Sequence, residues 1–206
     1  MTPPAPRPPF VAHDPRGRVI LVRHAQTEWS ERGRHTGRTD IPLTDAGRAT
    51  ARALGSRLEP STGAVVMTSP LDRARETCRL AGLGEVAQER AELLEWNYGA
   101  YEGLTTPEIR RQRPGWDLWR DGCPDGESAA EVAERLSGLL GELHGHLQDT
   151  IVFAHGHVLR VLAARWIGLA GADGARLGLQ TGAVGVLGHE RERPVLWRWN
   201  QGLGTD

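Results

Sequence analysis

Lysine is absent from this 206-residue chain, so all 25 basic side chains are arginine. Any anion site must therefore be built from guanidinium forks, imidazoles and backbone amides rather than ammonium groups. Cysteine is nearly absent as well. Cys78 and Cys123 lack CxxC spacing and are too few for a disulfide framework, which excludes a stapled secreted scaffold and points to a reducing, cytoplasmic setting. Neither sign of charge is in excess: the formal net charge is -1. Nothing global then draws the chain to nucleic acid or an anionic membrane; the expected partners are small molecules, with a homodimer left open. No apolar run approaches the roughly 20 residues of a membrane span, and the proline-rich start MTPPAPRPPF lacks the apolar segment of a secretory signal. Residues 1–16 are expected to form a flexible tail. Residues 17–206 remain for one domain, long enough to bury a core without disulfides or structural metal.

Short β-branched runs alternate with amphipathic stretches. Arg18 to Arg23 (RVILVR), Ala64 to Thr68 (AVVMT) and Thr150 to Ala154 (TIVFA) predict buried strands, and Ala91 to Trp96 a third short apolar run between them. Thr44 is a predicted N-cap for a helix with Ala46, Ala49, Ala53, Leu54 and Leu58 on one face, closed by Pro60. Ser69 and Pro70 suit the start of the next helix, and Gly82 its end. A short helix is expected over TPEIRRQ. The longest amphipathic helix is expected from Ser128 to Gln148, where Val132, Leu136, Leu139, Leu140, Leu143 and Leu147 recur at helical spacing, and another from His157 to Gly168. Ala183 to Gly188 and Pro194 to Trp199 predict an antiparallel pair. The fold class is α/β: a three-layer α/β/α sandwich whose mostly parallel sheet has an antiparallel edge.

In such a sheet, ligands bind beyond the carboxyl ends of the strands. Arg23-His24, Ser69 to Arg73, Glu95 and His155-Gly156-His157 all fall there. Taken singly, each has a plain reading: Arg-His as a solvated strand end, HGH as a metal pair, Glu95 as a surface carboxylate, Arg73 as helix decoration. Taken together they suit a phosphoryl group. Arginine gives planar bidentate donors and helix N-termini add amides. A neutral imidazole can attack phosphorus, cationic neighbours keep it unprotonated, and Glu95 is the strand-end carboxylate that could protonate a leaving alkoxide. Arginines beside HGH oppose a bound cation, so neither a metal nor an organic cofactor is expected. His13, His144, His146 and His189 are expected to be solvated. Trp96, Tyr98, Trp116 and Trp119 fit either an aromatic lip for a sugar or packing of a loop onto the core.

LVRHAQTEWS at 21–30, HTGRTDIPLT at 35–44, TSPLDRARET at 68–77, LLEWNYGAYEG at 93–103 and VFAHGHVLR at 152–160 resemble the motifs of the histidine phosphatase superfamily, also called the phosphoglycerate mutase-like family. The resemblance runs from about Val19 to His189. It implies a phosphohistidine on His24, with Arg23, Arg73 and His155 holding the phosphoryl oxygens and Glu95 as proton donor, all without metal. Ser30, Thr36, Gly156, Tyr98 and Trp96 are the expected substrate-binding set. Ala25 stands where the usual motif has glycine. The mutases of the family carry Arg-His after the glutamate and a lysine soon afterwards; here Trp96, Asn97 and Thr106 stand at those places, and the mutases' long insertion is missing. The resemblance thus favours the acid phosphatase and sugar-bisphosphatase branch, with an acidic pH optimum if Glu95 must be protonated for the first step. A phosphoglycerate mutase and a non-catalytic phospholigand-binding module are the alternatives.

Overall fold

The fold was analysed on a computed structural model that describes residues 16–58 and 63–202. His13, Pro60 and all but the last residue of the expected tail lie outside them. Among the described residues, six strands form one sheet: β1 (Val19–Arg23), β2 (Val65–Thr68), β3 (Ala87–Glu89), β4 (Thr150–Ala154), β5 (Val184–Glu190) and β6 (Arg193–Gln201), in the order β3-β2-β4-β1-β5-β6. β1, β2, β3 and β4 run parallel, with Arg23 opposite Ala154 and Thr68 opposite Phe153, and β5 and β6 add an antiparallel margin. The expected three-layer α/β/α fold is the observed one.

The helices are α1 (Glu28–Glu31), α2 (Asp45–Gly55), α3 (Asp72–Leu80), α4 (Thr106–Gln112), α5 (Leu118–Asp121), α6 (Ala129–Arg135), α7 (Ser137–Gly145) and α8 (Gly156–Trp166). Strand alternation sorts them into two layers. Val19, Leu21, Met67, Val152 and Ala154 face one core with α6, α7 and α8; Ile20, Val22, Val66, Ile151 and Phe153 face another with Leu54 and Leu58 at the α2 end and Cys78 of α3. A one-residue slip in β1 or β4 would exchange these sets, so the continuous apolar runs need both faces covered.

Four expectations are corrected. The third strand is Ala87–Glu89 rather than Ala91 to Trp96, where the chain instead makes a 3-10 turn at Ala91–Leu93. An edge strand as polar as Ala-Gln-Glu gives no hydrophobic signal. α3 starts at Asp72, not at Ser69: the Asp72 amide donates to Asp40 Oδ1 at 2.9 Å, so its first turn is capped from a distant loop, while the Ser69 hydroxyl meets His155. The expected long helix breaks at Leu136 into α6 and α7, in a stretch weakened by Ser137, Gly138 and Gly141, and Leu147 is exposed. His189 is buried rather than solvated, and His144 stacks on Trp166 with ring centroids 4.0 Å apart.

Candidate active site

The ends of β1 and β4 meet: the His24 amide donates to the Ala154 carbonyl at 2.8 Å, so Arg23-His24 and His155 leave the sheet side by side. The His24 and His155 rings are 5.2 Å apart between centroids, and both residues are buried. His24 Nδ1 lies 2.8 Å from the Ala25 carbonyl, which can only accept. The ring proton therefore sits on Nδ1, and Nε2 carries the lone pair. Burial first, then Arg73 and Arg23, hold the His24 pKa well below the usual imidazole value. The same factors, with His24 itself, lower His155. Arg73 Nε donates to His155 Nδ1 at 3.1 Å, which leaves the His155 proton on Nε2, directed at Ser69 Oγ at 2.7 Å.

Arg73 is buried, and its remaining hydrogen bonds go to backbone carbonyls, Thr39 from Nη1 and Thr36 and Gly37 from Nη2, while Nη1 also lies 3.9 Å from Asp40 Oδ1. It thus pins the 36–39 loop over the site. That loop can approach only because residue 37 is glycine; a Cβ there would lie 2.4 Å from Glu102 Oε2 and 2.8 Å from the Trp96 carbonyl. Gly156 plays a similar part under Arg23, since its Cβ would meet the guanidinium carbon at 3.1 Å. Arg23 Nη1 donates to the Leu179 carbonyl at 2.5 Å, whereas its buried Nε has no hydrogen-bond partner. A buried N–H of this kind is an unfilled demand for an acceptor. Burial lowers the Arg23 pKa, with Glu95 acting in the opposite direction.

Glu95 is buried at the N-terminus of α8. Its Oε1 accepts from the Trp96 and Val158 amides, both at 2.9 Å, and its Oε2 from the His157 amide at 3.0 Å. The amides of this helix end thus grip a side chain instead of standing open to a ligand, and Oε2, with one donor on it, keeps the freer lone pair. The loop carrying Glu95 is braced from α6. Arg135 donates to the Glu92 and Glu95 carbonyls and pairs with Glu127 at 2.6 Å, while Glu127 accepts from the Asn97 amide and the Trp96 indole.

A cavity of about 150 Å³ opens on these groups, lined by Arg23, His24, Glu95, Ser30, Thr36, Tyr98, Gly33, Arg34, His35 and His157. Six predicted residues therefore meet in it, and Arg73, His155 and Gly156 sit immediately behind. Trp96 does not line it: the ring is fully buried against Trp119, and its indole N–H is spent on the Glu127 carbonyl. Trp116 is likewise a core residue. Of the aromatic group only Tyr98 faces the cavity. Ser30 lines it while closing the capping box of α1, donating to the Thr27 carbonyl at 2.8 Å. A larger cleft of about 490 Å³ along α3 and β3 lacks every predicted residue, and its Asp72, Glu76 and Glu89 are already paired with arginines.

His35 and His157 are cavity residues that sequence reasoning did not assign. Both stand inside motifs that were singled out, HTGRTDIPLT and HGH, but the side to which each ring turns is set by loop contacts. His157 Nδ1 and the Tyr98 hydroxyl are 2.6 Å apart. Burial lowers the pKa of His35 to about 4 and that of His157 well below the usual value. The two cysteines are free, and burial pushes both thiols up to about 12, so neither offers a thiolate. Among the described residues, no three His, Cys, Asp or Glu side chains are grouped to hold a metal ion, and no helix is long and apolar enough to cross a membrane.

Comparison with known proteins agrees with this geometry. The chain is 41% identical over 177 residues to an acid phosphatase of Mycobacterium tuberculosis, covering 84% of this chain and 87% of that one. It is 38% identical over 185 residues to sedoheptulose 1,7-bisphosphatase of Saccharomyces cerevisiae, covering 74% and 68%. A solved structure of an open reading frame product from Mycobacterium tuberculosis superposes with a TM-score of 0.85 at 39% identity, covering 90% of this chain and 98% of that one. The family model of the histidine phosphatase superfamily, branch 1, matches residues 19–202, and the chain belongs to that superfamily.

Proposed function

We propose that the protein is a phosphomonoester hydrolase acting on small phosphorylated metabolites through a phosphohistidine at His24 Nε2. One observation carries this: a buried, neutral imidazole, its proton tied to Ala25, stands beside a buried guanidinium N–H that has no partner. The phosphoryl oxygens supply the acceptor that Arg23 Nε lacks. The His155 Nε2 proton passes from Ser69 to a second oxygen, and the Arg73 charge behind both rings disperses the negative charge that grows on phosphorus. His24 Nε2 forms the new N–P bond as the P–O ester bond breaks, and a proton from Glu95 Oε2 satisfies the leaving alkoxide. In the second half, water attacks phosphorus, the N–P bond breaks, and Glu95 recovers its proton from that water.

Both half-reactions balance without a metal, so activity is expected to survive EDTA. The names of the two relatives, an acid phosphatase and a sugar bisphosphatase, support hydrolysis of small esters. The free thiols fit a cytoplasmic setting. Ser30, Thr36 and Tyr98 are the proposed substrate contacts, with Gly156 making room for Arg23. The reading is tested by incubation with 3-phosphoglycerate and with a panel of phosphorylated metabolites, following inorganic phosphate and 2-phosphoglycerate. Phosphate release without isomerisation is expected. Accumulation of 2-phosphoglycerate without phosphate would make the protein a mutase instead.

A further inference from the structure

The two parts of the cavity differ in charge. Arg23 and His24 lie on the phosphoryl side; Tyr98, His35 and His157 line the rest with neutral hydrogen-bonding groups. We propose that these three side chains form a leaving-group subsite that takes a neutral, hydroxylated group, a polyol or sugar, in preference to one bearing a carboxylate or a second phosphate. The inference rests on the phosphatase reading above and names its substrate class.

The geometry supports it in three ways. Tyr98 and His157 satisfy each other through the 2.6 Å contact, which fixes the ring and leaves His157 Nε2 without a protein partner among the described residues. His35 Nε2 meets Thr106 Oγ1 at 3.3 Å, and its Nδ1 has no such partner. A neutral imidazole nitrogen gives or takes one hydrogen bond, and a hydroxyl can answer either role, whereas a carboxylate can only accept. Burial keeps both rings uncharged at neutral pH, lowering the His35 pKa to about 4 and holding that of His157 well below the usual imidazole value.

Besides Arg23, Arg34 is the one cation in the cavity lining and is already matched, while Arg160, outside the lining, donates to the Gly174 and Ala175 carbonyls. Arg34 Nη1 donates to the Gly103 carbonyl at 2.5 Å and lies 3.8 Å from the Glu108 carboxylate. A leaving group with its own negative charge would be desolvated beside Glu95 with no free guanidinium to meet it, which is costly. The walls are flat between their polar tips: the His35 and Tyr98 rings are 4.8 Å apart, and Trp119 backs His157 from outside the cavity with ring centroids 5.3 Å apart. Such surfaces suit the C–H faces of a sugar.

Glycerol 3-phosphate and 3-phosphoglycerate test this, because they share the reacting phosphate and differ only in a hydroxymethyl against a carboxylate. For the wild-type protein, kcat/KM is expected to favour the glycerol ester by at least about tenfold. Tyr98→Phe, which releases His157, should shrink that ratio to about threefold or less, and His157→Arg should bring it to one or below. A wild-type ratio near or below one would overturn the subsite, and an unchanged ratio in Tyr98→Phe would remove Tyr98 from it. Nitrophenyl phosphate separates the two layers of the argument. If it is hydrolysed while the ratio fails, only the subsite falls; if it is not hydrolysed, the phosphatase reading falls with it.

Discussion

The proposed phosphoryl side of the site and the proposed leaving-group side are built by different means. On the first, His24, Arg73 and His155 are buried, and the ring protons are assigned by partners that can play only one role: a carbonyl for His24, a guanidinium for His155. On the second, His35, His157 and Tyr98 come from loops and the first turn of a helix, and two ring nitrogens are left open. The contrast separates reaction from recognition. A nucleophile needs one tautomer held in one place, whereas a subsite for hydroxyls works with groups that can donate or accept.

The predictions probe that division in order of size. His24→Ala removes the attacking nitrogen and should lower kcat by at least about 10⁴-fold with every ester, nitrophenyl phosphate included, in a steady-state assay. Substantial remaining turnover would mean that the phosphoryl side is not the reacting side. Glu95→Gln should lower kcat/KM, which reports the phosphorylation step, by about 10²-fold or more for alkyl phosphates and much less for nitrophenyl phosphate, since nitrophenolate needs little protonation. Equal slowing of both would place Glu95 outside the acid role.

Arg135→Gln should have a smaller effect, about tenfold on kcat for alkyl phosphates with little change in KM, because Arg135 holds the carbonyls of Glu92 and Glu95 and touches no substrate. Arg135→Lys should restore part of the loss. A change in KM alone would show that the brace shapes binding rather than proton delivery.

The smallest effect concerns pH. His24, His155, His157 and His35 have folded pKa values below that of an unfolded histidine, about 6.5. The unfolded chain therefore binds more protons than the folded one. The stability these residues contribute is complete above about pH 6.5 and is lost as pH falls towards their folded values. The urea midpoint should drop between pH 7 and pH 5, while kcat/KM for nitrophenyl phosphate should not fall through an ionisation near 6.5, since the nucleophile stays neutral. A midpoint constant across that range would contradict the buried, uncharged state of these rings.

The phosphoryl side was legible in the sequence because strand ends are. RVILVR and TIVFA are apolar enough to fix two neighbouring strands, and their parallel register delivers Arg23-His24 and His155 to one place. Glu95 was legible through its motif but not its setting: the apolar positions around it predict a strand, yet the chain turns, and Leu93 and Trp96 enter the core on either side of it. The leaving-group side was legible only in Tyr98. Whether His35 or Trp96 faces the cavity depends on the path of loops pinned by Arg73, Arg135 and Glu127, contacts between residues 31 to 40 positions apart for which periodicity has no signal. Ser69 shows the same limit from the other direction, since a good N-cap residue is diverted to a histidine 86 positions away.

The most direct test of the central claim is to quench the protein during turnover of nitrophenyl phosphate and map the phosphoryl group by mass spectrometry under alkaline conditions. The account predicts a base-stable, acid-labile adduct on the peptide containing His24, lost in His24→Ala and accumulating with Glu95→Gln. Turnover with no phosphoenzyme, or an adduct on any other residue, would contradict it.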